Sequence, residues 1–247
     1  MSHFVRCSFL IFTVFVAIVS CSDTQSNDDI RRFYFPLKEL NDGLVYAYEP
    51  EGTINLGAGY WFNRSFISDT SARLVTTHYN DELLPVQINT ELLASNGMLL
   101  ESLRILELDS TGRNVSIDAE IGDRNVFPFI PLSPTSIYET RIQFESILEA
   151  NTRYFRLKQR QFLGDTTFIF AGEEIPAIKV SIKEVIDQEN DGTFTQEVTG
   201  MEIYAENMGL VYYEKDFGEG LNMQYRLVDT FPMDTLEQRF ERMLKQE

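Results

Sequence analysis

The sequence predicts a mainly β fold, as a curved antiparallel sheet or an open barrel that carries one C-terminal amphipathic helix. Aromatic residues make up 13% of the chain, a composition that is typical of sheets. From Phe33 onward, short runs alternate between apolar and polar residues and are separated by turn residues, which is the pattern of half-buried strands. Only residues 235–245 follow a helical period. With 247 residues, the chain is long enough to bury a core without disulfides or metals.

The chain begins with a targeting segment. Residues 8–19 are apolar and follow Arg6. Because a bilayer is spanned by about 20 apolar residues, this shorter run suits a cleaved signal better than a transmembrane helix. It ends in Ala17-Ile18-Val19-Ser20-Cys21, which resembles the bacterial lipobox. The resemblance implies diacylglycerol on the Cys21 thiol, cleavage before Cys21 and anchoring to membrane lipid. An ordinary secretory signal and an uncleaved anchor are the alternatives.

We therefore divide the chain into a signal peptide (1–20), a lipidated flexible tether (21–32) and a β-rich domain (33–247). The tether is polar and acidic, so it buries too little surface to offset its ordering entropy. It resembles the acidic stretches that route some bacterial lipoproteins to the outer membrane or the cell surface, which implies the cell envelope and, in particular, its outer membrane. Three prolines predict a connector or lid near residues 122–136, and a boundary there leaves two domains as the alternative to one.

The predicted strands fall into two blocks. The first covers residues 44–48, 59–65, 74–79, 86–92, 98–108 and 115–121, and its last two strands form an antiparallel hairpin. The second covers residues 137–144, 154–162, 166–170, 177–186, 193–204, 210–213 and 221–231. Apolar residues alternate with Gln87, Asn89 and Glu91, so we expect one face of the sheet to be in contact with water. Asp234 is the predicted N-cap of the C-terminal helix, which we expect to pack against the sheet.

The stretch from Ile203 to Tyr212 forms a predicted strand, a turn and a return strand that begins at Gly209. This part of the chain is similar to the curved, incompletely closed β-barrels of the lipoprotein carrier and receptor superfamily. The resemblance covers only the C-terminal part and implies a concave face that holds acyl chains. It carries over no ligand-contacting residue.

Charge and composition exclude several classes of function. A net charge of −17 repels phosphate backbones, so we expect no nucleic acid partner. Cys7 and Cys21 are the only cysteines, and acylation of Cys21 would leave none for catalysis or metal binding. His78 is the only histidine outside the signal segment and lies in no catalytic motif, which predicts a packed or surface residue. The sequence has no nucleotide-binding or zinc-protease motif, and we expect no cofactor and no catalytic residue.

Tyr60, Trp61 and Phe62 are the candidate ligand-binding residues. Successive residues of a strand point to opposite faces of its sheet, so at least one of the three is buried or binds something. Core packing is the alternative.

Asp187, Glu189 and Asp191 are the candidate metal ligands. They occupy positions 1, 3 and 5 of a pattern that resembles a calcium loop, with Gly192 at position 6. Position 12, where a calcium loop has an acidic residue, is Val198 in this sequence. The same residues form a strong hairpin turn, so we expect a turn and no metal.

These observations predict a membrane-anchored envelope lipoprotein that acts as a non-enzymatic binding module for an apolar ligand or an envelope protein. One alternative is a carbohydrate-active hydrolase that uses acidic residues in a groove, and another is a purely structural component. The hydrolase predicts two converging buried carboxylates with raised pKa values.

Overall fold

The computed structural model describes residues 29–131, 133 and 135–245. The predicted signal peptide, the lipidation site Cys21 and most of the predicted tether lie outside the described residues. None of the helices within the described ranges combines the length and the apolar character that a membrane-spanning helix needs.

The described residues form thirteen strands and one α-helix, after a short 3-10 turn at Arg31–Phe33. The strands are β1 (Leu44–Pro50), β2 (Gly59–Ile67), β3 (Ala72–Tyr79), β4 (Pro85–Ala94), β5 (Gly97–Leu108), β6 (Asn114–Asp118), β7 (Glu120–Pro128), β8 (Ile137–Glu145), β9 (Arg153–Phe170), β10 (Glu173–Glu189), β11 (Thr193–Ala205), β12 (Gly209–Asp216) and β13 (Asn222–Phe231), and the helix is α1 (Met233–Leu244). The predicted strands 154–162 and 166–170 are one long strand, β9.

Twelve of the described strands close into a barrel, because each of them pairs in antiparallel fashion with a neighbour on both sides. The order runs from β1 through β5, continues from β7 to β13, and returns to β1 through the β1–β13 pair. In the described part of the chain, twelve strands form this ring, and β6 is an additional strand at its edge. The mainly β fold with one C-terminal helix is confirmed, and the predicted sheet closes on itself.

β5 makes room for the additional strand by dividing one edge between two partners. Its beginning pairs with β7, and its end pairs with β6, as the predicted hairpin requires. The predicted connector at 122–136 is wrong over its first half, because residues 120–128 form β7 and belong to the barrel. Pro128 is the last residue of β7, where its missing N–H interrupts no further pairing. Only the residues after it connect β7 to β8.

The C-terminal helix packs on the outer face of the barrel, as predicted. Leu236 is 2% exposed and joins Val45, Ala47 and Phe231 in a cluster outside β1 and β13. The helix begins at Met233, so Asp234 lies in the first turn rather than at the N-cap. An acidic residue in the first turn still lies near the positive end of the helix dipole.

The N-terminal segment closes one end of the barrel. Ile30, Phe33, Tyr34 and Leu40 are each 5% exposed or less and belong to the main core. The Ile30 amide donates a hydrogen bond to the Phe129 carbonyl. Residues 30–32 are therefore part of the folded domain, which corrects the predicted tether boundary. Their apolar neighbours are distant in sequence, so local composition did not reveal the burial.

Candidate functional site

A cavity of about 300 Å³ lies inside the barrel, next to the N-terminal segment. This volume is at the lower limit of typical small-molecule sites, about 300–1,000 Å³. Residues from most of the barrel strands line the cavity, together with Tyr34 and Phe35 from the N-terminal segment. The lining combines aromatic and charged side chains, and the two kinds occupy different parts of the barrel.

One side of the barrel interior carries a continuous group of rings, here called the aromatic wall: His78, Trp61, Tyr48, Tyr225 and Tyr213. These residues come from five neighbouring strands, β3, β2, β1, β13 and β12 in that order. Trp61 stacks on His78 with ring centroids 4.3 Å apart and on Tyr213 at 5.4 Å. Tyr48 is fully buried and donates a hydrogen bond of 2.7 Å to the Leu210 carbonyl. The aromatic wall is therefore held in place by neighbouring rings and buried contacts.

The charged side of the cavity is built mainly by β9, β10 and β11. Arg156, Lys158 and Arg160 alternate along β9 and all line the cavity, because side chains two residues apart share one face of a strand. Glu184 on β10 lies directly opposite Lys158 in the strand register. Glu202 on β11 and Lys215 on β12 complete this group, here called the charged wall.

The carboxylates of the charged wall are held by buried ion pairs. Glu202 accepts hydrogen bonds from Lys158 Nζ at 2.5 Å and from Arg160 Nε at 3.0 Å. The Tyr204 hydroxyl donates a third hydrogen bond to Glu202, at 2.9 Å. Glu184 accepts from Lys215 Nζ at 2.5 Å and lies 3.7 Å from Lys158 Nζ. Both carboxylates are almost fully buried, so they lose their solvation and rely on these partners.

The ion pairs keep both carboxylates ionised. Burial alone would raise the pKa of Glu184, but the cations of Lys158 and Lys215 outweigh it and lower the pKa to about 2. The same competition at Glu202, where Arg160 and Lys158 oppose burial, lowers its pKa still further. Neither carboxyl group carries a proton at neutral pH.

His78 is held in its neutral form by the same surroundings. Burial, followed by the nearby charges of Arg156 and Lys158, lowers the pKa of His78 to about 3. Its ring stacks on Trp61, and its Nε2 lies 3.5 Å from the amide nitrogen of Asn89. The prediction of a packed residue agrees with this position, although the ring also lines the cavity.

Glu91 differs from the other two cavity carboxylates. Burial raises its pKa, an effect that the hydrogen bond from the Tyr34 hydroxyl, at 2.5 Å, partly offsets. Glu91 follows Gln87 and Asn89 along β4, and all three line the cavity. The polar face predicted for this strand is therefore the inner face of the barrel.

The structure separates the three candidate ligand-binding residues. Trp61 lines the cavity, whereas Tyr60 and Phe62 pack on the outer face with the cluster beneath the C-terminal helix. Alternation along β2 puts the indole on one face and its two neighbours on the other. Among these three candidates, only Trp61 contributes to the cavity.

The three candidate calcium ligands belong to the β10–β11 hairpin. Asp187 and Glu189 are in β10, and Asp191 is in the turn that Asn190 and Gly192 close with a backbone hydrogen bond of 2.9 Å. The Asp187 carboxylate accepts a hydrogen bond from the Thr195 hydroxyl at 2.6 Å. Within the described ranges, no three or more His, Cys, Asp or Glu side chains are grouped as a metal would require.

The charged wall was not predicted from the sequence. The run Arg156-Leu157-Lys158-Gln159-Arg160 has cations at every second position, a signal that three charges share one strand face. Such a face ordinarily points to solvent. Only the curvature of the closed barrel turns it inward.

Two solved structures share this fold. One is a protein described as a lipoprotein from Parabacteroides distasonis ATCC 8503, with a TM-score of 0.53 and 11% identity, over 79% of this chain and 95% of that chain. The other is described as an exported protein with a YmcC-like fold from Bacteroides fragilis NCTC 9343, with a TM-score of 0.54 and 13% identity, over 81% and 99%. No protein-family model matches the sequence, and no curated protein does. At these identities the likeness shows the fold.

Proposed function

We propose that this protein is a bacterial envelope lipoprotein, acylated on Cys21, whose barrel binds a small ligand in its interior without catalysing a reaction. The lipobox-like stretch before Cys21 supports the anchor. The descriptions of the two structural neighbours, as a lipoprotein and as an exported protein, support an envelope location. The sorting resemblance of the acidic residues after Cys21 favours the outer membrane.

The observation that carries the binding role is the cavity itself. A barrel interior without a function is ordinarily filled by close-packed apolar side chains, because empty volume forfeits packing energy. Here about 300 Å³ stays open between the aromatic wall and the charged wall. A space of this size inside a ring of strands suits a small molecule better than a protein partner.

The cavity also supports a ligand of mixed character. Trp61 and Tyr213 line it with aromatic side chains, whereas Arg156 and Lys215 line it with charged ones. A purely apolar ligand would leave the charged side chains desolvated without compensation. The ligand should therefore carry both an apolar part and a polar part.

The contacts of the cavity carboxylates favour binding over the hydrolase alternative. Glu184 and Glu202 converge on Lys158, but their pKa values are lowered, whereas a general acid needs a raised pKa. Glu202 already accepts from three donors, so it is poorly placed to attack a substrate. The raised pKa of Glu91 is the feature that a hydrolase would use.

Mass spectrometry of protein extracted from its own membrane tests the anchor. We expect a mature chain that begins at Cys21 and carries diacylglycerol, and we expect Cys21→Ala to remain uncleaved and unacylated. A wild-type protein that begins at Met1, or that has a bare Cys21 thiol, would refute the anchor.

Native mass spectrometry of the same extract tests the binding role. We expect the wild-type barrel to retain a small molecule and the variant Thr140→Phe, which fills part of the cavity, to lose it. Thr167→Phe is the matched control, because Thr167 is exposed on the outer face of β9. Equal retention by both variants, or no retained molecule in the wild type, would contradict binding in the cavity.

A further inference from the structure

The charged groups that line the cavity do not balance. Four cations line it, Arg156, Lys158, Arg160 and Lys215, against three carboxylates. Two of these carboxylates, Glu184 and Glu202, accept all the ion pairs that the cations form within the described residues. The third, Glu91, is hydrogen-bonded to Tyr34 instead. The interior therefore carries a positive excess although the whole chain is strongly acidic.

Arg156 accounts for this excess. Lys158, Arg160 and Lys215 each have a carboxylate oxygen within 3.0 Å. The guanidinium of Arg156, in contrast, takes part in no ion pair or hydrogen bond among the residues that the structure describes. Arg160, four residues further along the same strand face, also has a buried Nη1 without a partner in the described part of the chain.

The guanidinium of Arg156 is half-buried and has no direct carboxylate contact within the described residues, so an anion that reached it would gain a full set of hydrogen bonds. Burial lowers the pKa of Arg156, the charge of Glu184 opposes this effect from beyond ion-pair distance, and the neighbouring charge of Arg160 adds to it. Arg156 stays ionised because its intrinsic pKa is very high. Its planar fork of donors matches a carboxylate or a phosphate, and such charge-assisted hydrogen bonds are the strongest available to it.

Arg156 also lies close to the aromatic wall. Its charge acts on the His78 ring, and both residues line the same cavity as Trp61 and Tyr213. An anion on Arg156 would thus share the cavity with aromatic side chains that its remaining atoms could contact. Contacts between aromatic rings, edge-to-face or offset, add to the energy of apolar burial.

We propose that the cavity binds a small organic anion, with its carboxylate or phosphate group on Arg156 and a planar, apolar part against the aromatic wall. This inference rests on the proposed binding function and names the chemical class of its ligand. The acidic surface would repel large polyanions, so a molecule small enough to enter the barrel is the ligand that fits both charge patterns.

Calorimetric titration with four probes tests this inference: benzoate, phenyl phosphate, benzyl alcohol and inorganic phosphate. We expect binding of one or both aromatic anions, with the neutral alcohol and inorganic phosphate at least tenfold weaker. Binding should also change the fluorescence of Trp61, the single tryptophan of the chain, because its indole lines the cavity.

The variant Arg156→Gln should weaken binding of the aromatic anion by about ten- to one-hundredfold, the loss expected for hydrogen bonds to a charged group. Arg153→Gln is the matched control, because Arg153 lies on the outer face of the same strand and pairs with exposed Glu145. Arg156→Gln should leave the urea midpoint of the ligand-free protein nearly unchanged, since half-buried Arg156 makes no hydrogen bond or ion pair within the described residues. A purely structural arginine would lower that midpoint.

The outcomes separate this inference from the proposed function. Unchanged affinity in Arg156→Gln, or equal binding of benzoate and benzyl alcohol, would overturn the anion site. A neutral molecule that co-purifies in the cavity, while no anion binds, would overturn the ligand class and leave the binding function intact. If no molecule co-purifies with the protein and none of the four probes binds, both the anion site and the proposed binding function are overturned.

Discussion

Replacement of Glu202 by glutamine should destabilise the barrel more than any surface charge substitution. Glu202 is 3% exposed and accepts hydrogen bonds from Lys158, Arg160 and Tyr204. Glutamine has nearly the same shape, but one of its two terminal atoms is a donor. That nitrogen would face either the Lys158 ammonium or the Arg160 guanidinium, donor against donor.

The expected cost follows from the charges that remain. Glu202→Gln leaves Lys158 with only Glu184, at 3.7 Å, and leaves Arg160 without an ion-pair partner in the described part of the chain. Removing one partner of a buried ion pair typically costs about 3–5 kcal/mol, because the other charge stays desolvated. Domains of this kind have a total stability of about 5–15 kcal/mol. The variant should therefore lose a large share of its free energy of unfolding.

Urea denaturation at neutral pH measures this loss. The midpoint should fall while the m-value stays constant, since the surface exposed on unfolding is unchanged. Glu197→Gln is the matched control on the same strand, because Glu197 is exposed and pairs with Lys183 at 3.1 Å. Exposed pairs contribute about 0–1 kcal/mol, so the control should hardly shift the midpoint. Equal effects of the two variants would show that the cavity screens its charges as well as bulk water does, and the reasoning would fail.

Three further predictions concern other parts of the barrel. Between pH 7 and pH 5 the free energy of unfolding of the wild type should fall by about 2 kcal/mol. In the unfolded chain His78 takes up a proton near its ordinary pKa of 6.5, whereas the folded ring, with a pKa of about 3, stays neutral. Urea midpoints at the two pH values should show this loss in the wild type and not in His78→Gln, and an unchanged pH dependence would contradict it. Gly200→Ala should lower the free energy of unfolding by at least about 1–3 kcal/mol, since its Cβ would clash with the backbone oxygen of Glu214 on β12. The hairpin variant Gly192→Ala meets no atom within 4 Å and should leave the thermal midpoint unchanged. Leu236→Ala should cost about 2–5 kcal/mol by undocking the C-terminal helix, whereas exposed Gln238→Ala should be close to neutral in the same denaturation assay.

Features that depend on residues close together in the chain were predictable. The hairpin between β5 and β6, the turn at Asn190–Gly192 and the amphipathic helix all follow from local turn chemistry and periodicity. The connector was misjudged because the count of prolines does not show where a strand ends. Pro128 closes β7, so the strand extends further than the prolines suggested.

The cavity was not predictable in this way. Its central ion pairs join Glu202 to residues 42 and 44 positions away, and the hydrogen bond between Tyr34 and Glu91 spans 57 positions. A pattern with period two shows that Lys158 and Arg160 share a strand face, but it does not show what lies opposite. Trp61 could be selected as a candidate, yet nothing local distinguished its face from that of its neighbours.

The sequence by itself therefore determined the strands, most of their turns and the apolar face of the helix, because backbone geometry couples residues that are near one another in the chain. Only the tertiary structure decided that the sheet closes into a ring and that the polar faces of β4 and β9 point into the ring rather than to solvent. Closure is a property of all the strand pairs together, since the identity of the inner face depends on the direction in which the whole sheet curves. That direction left the guanidinium of Arg156 facing the interior of the barrel.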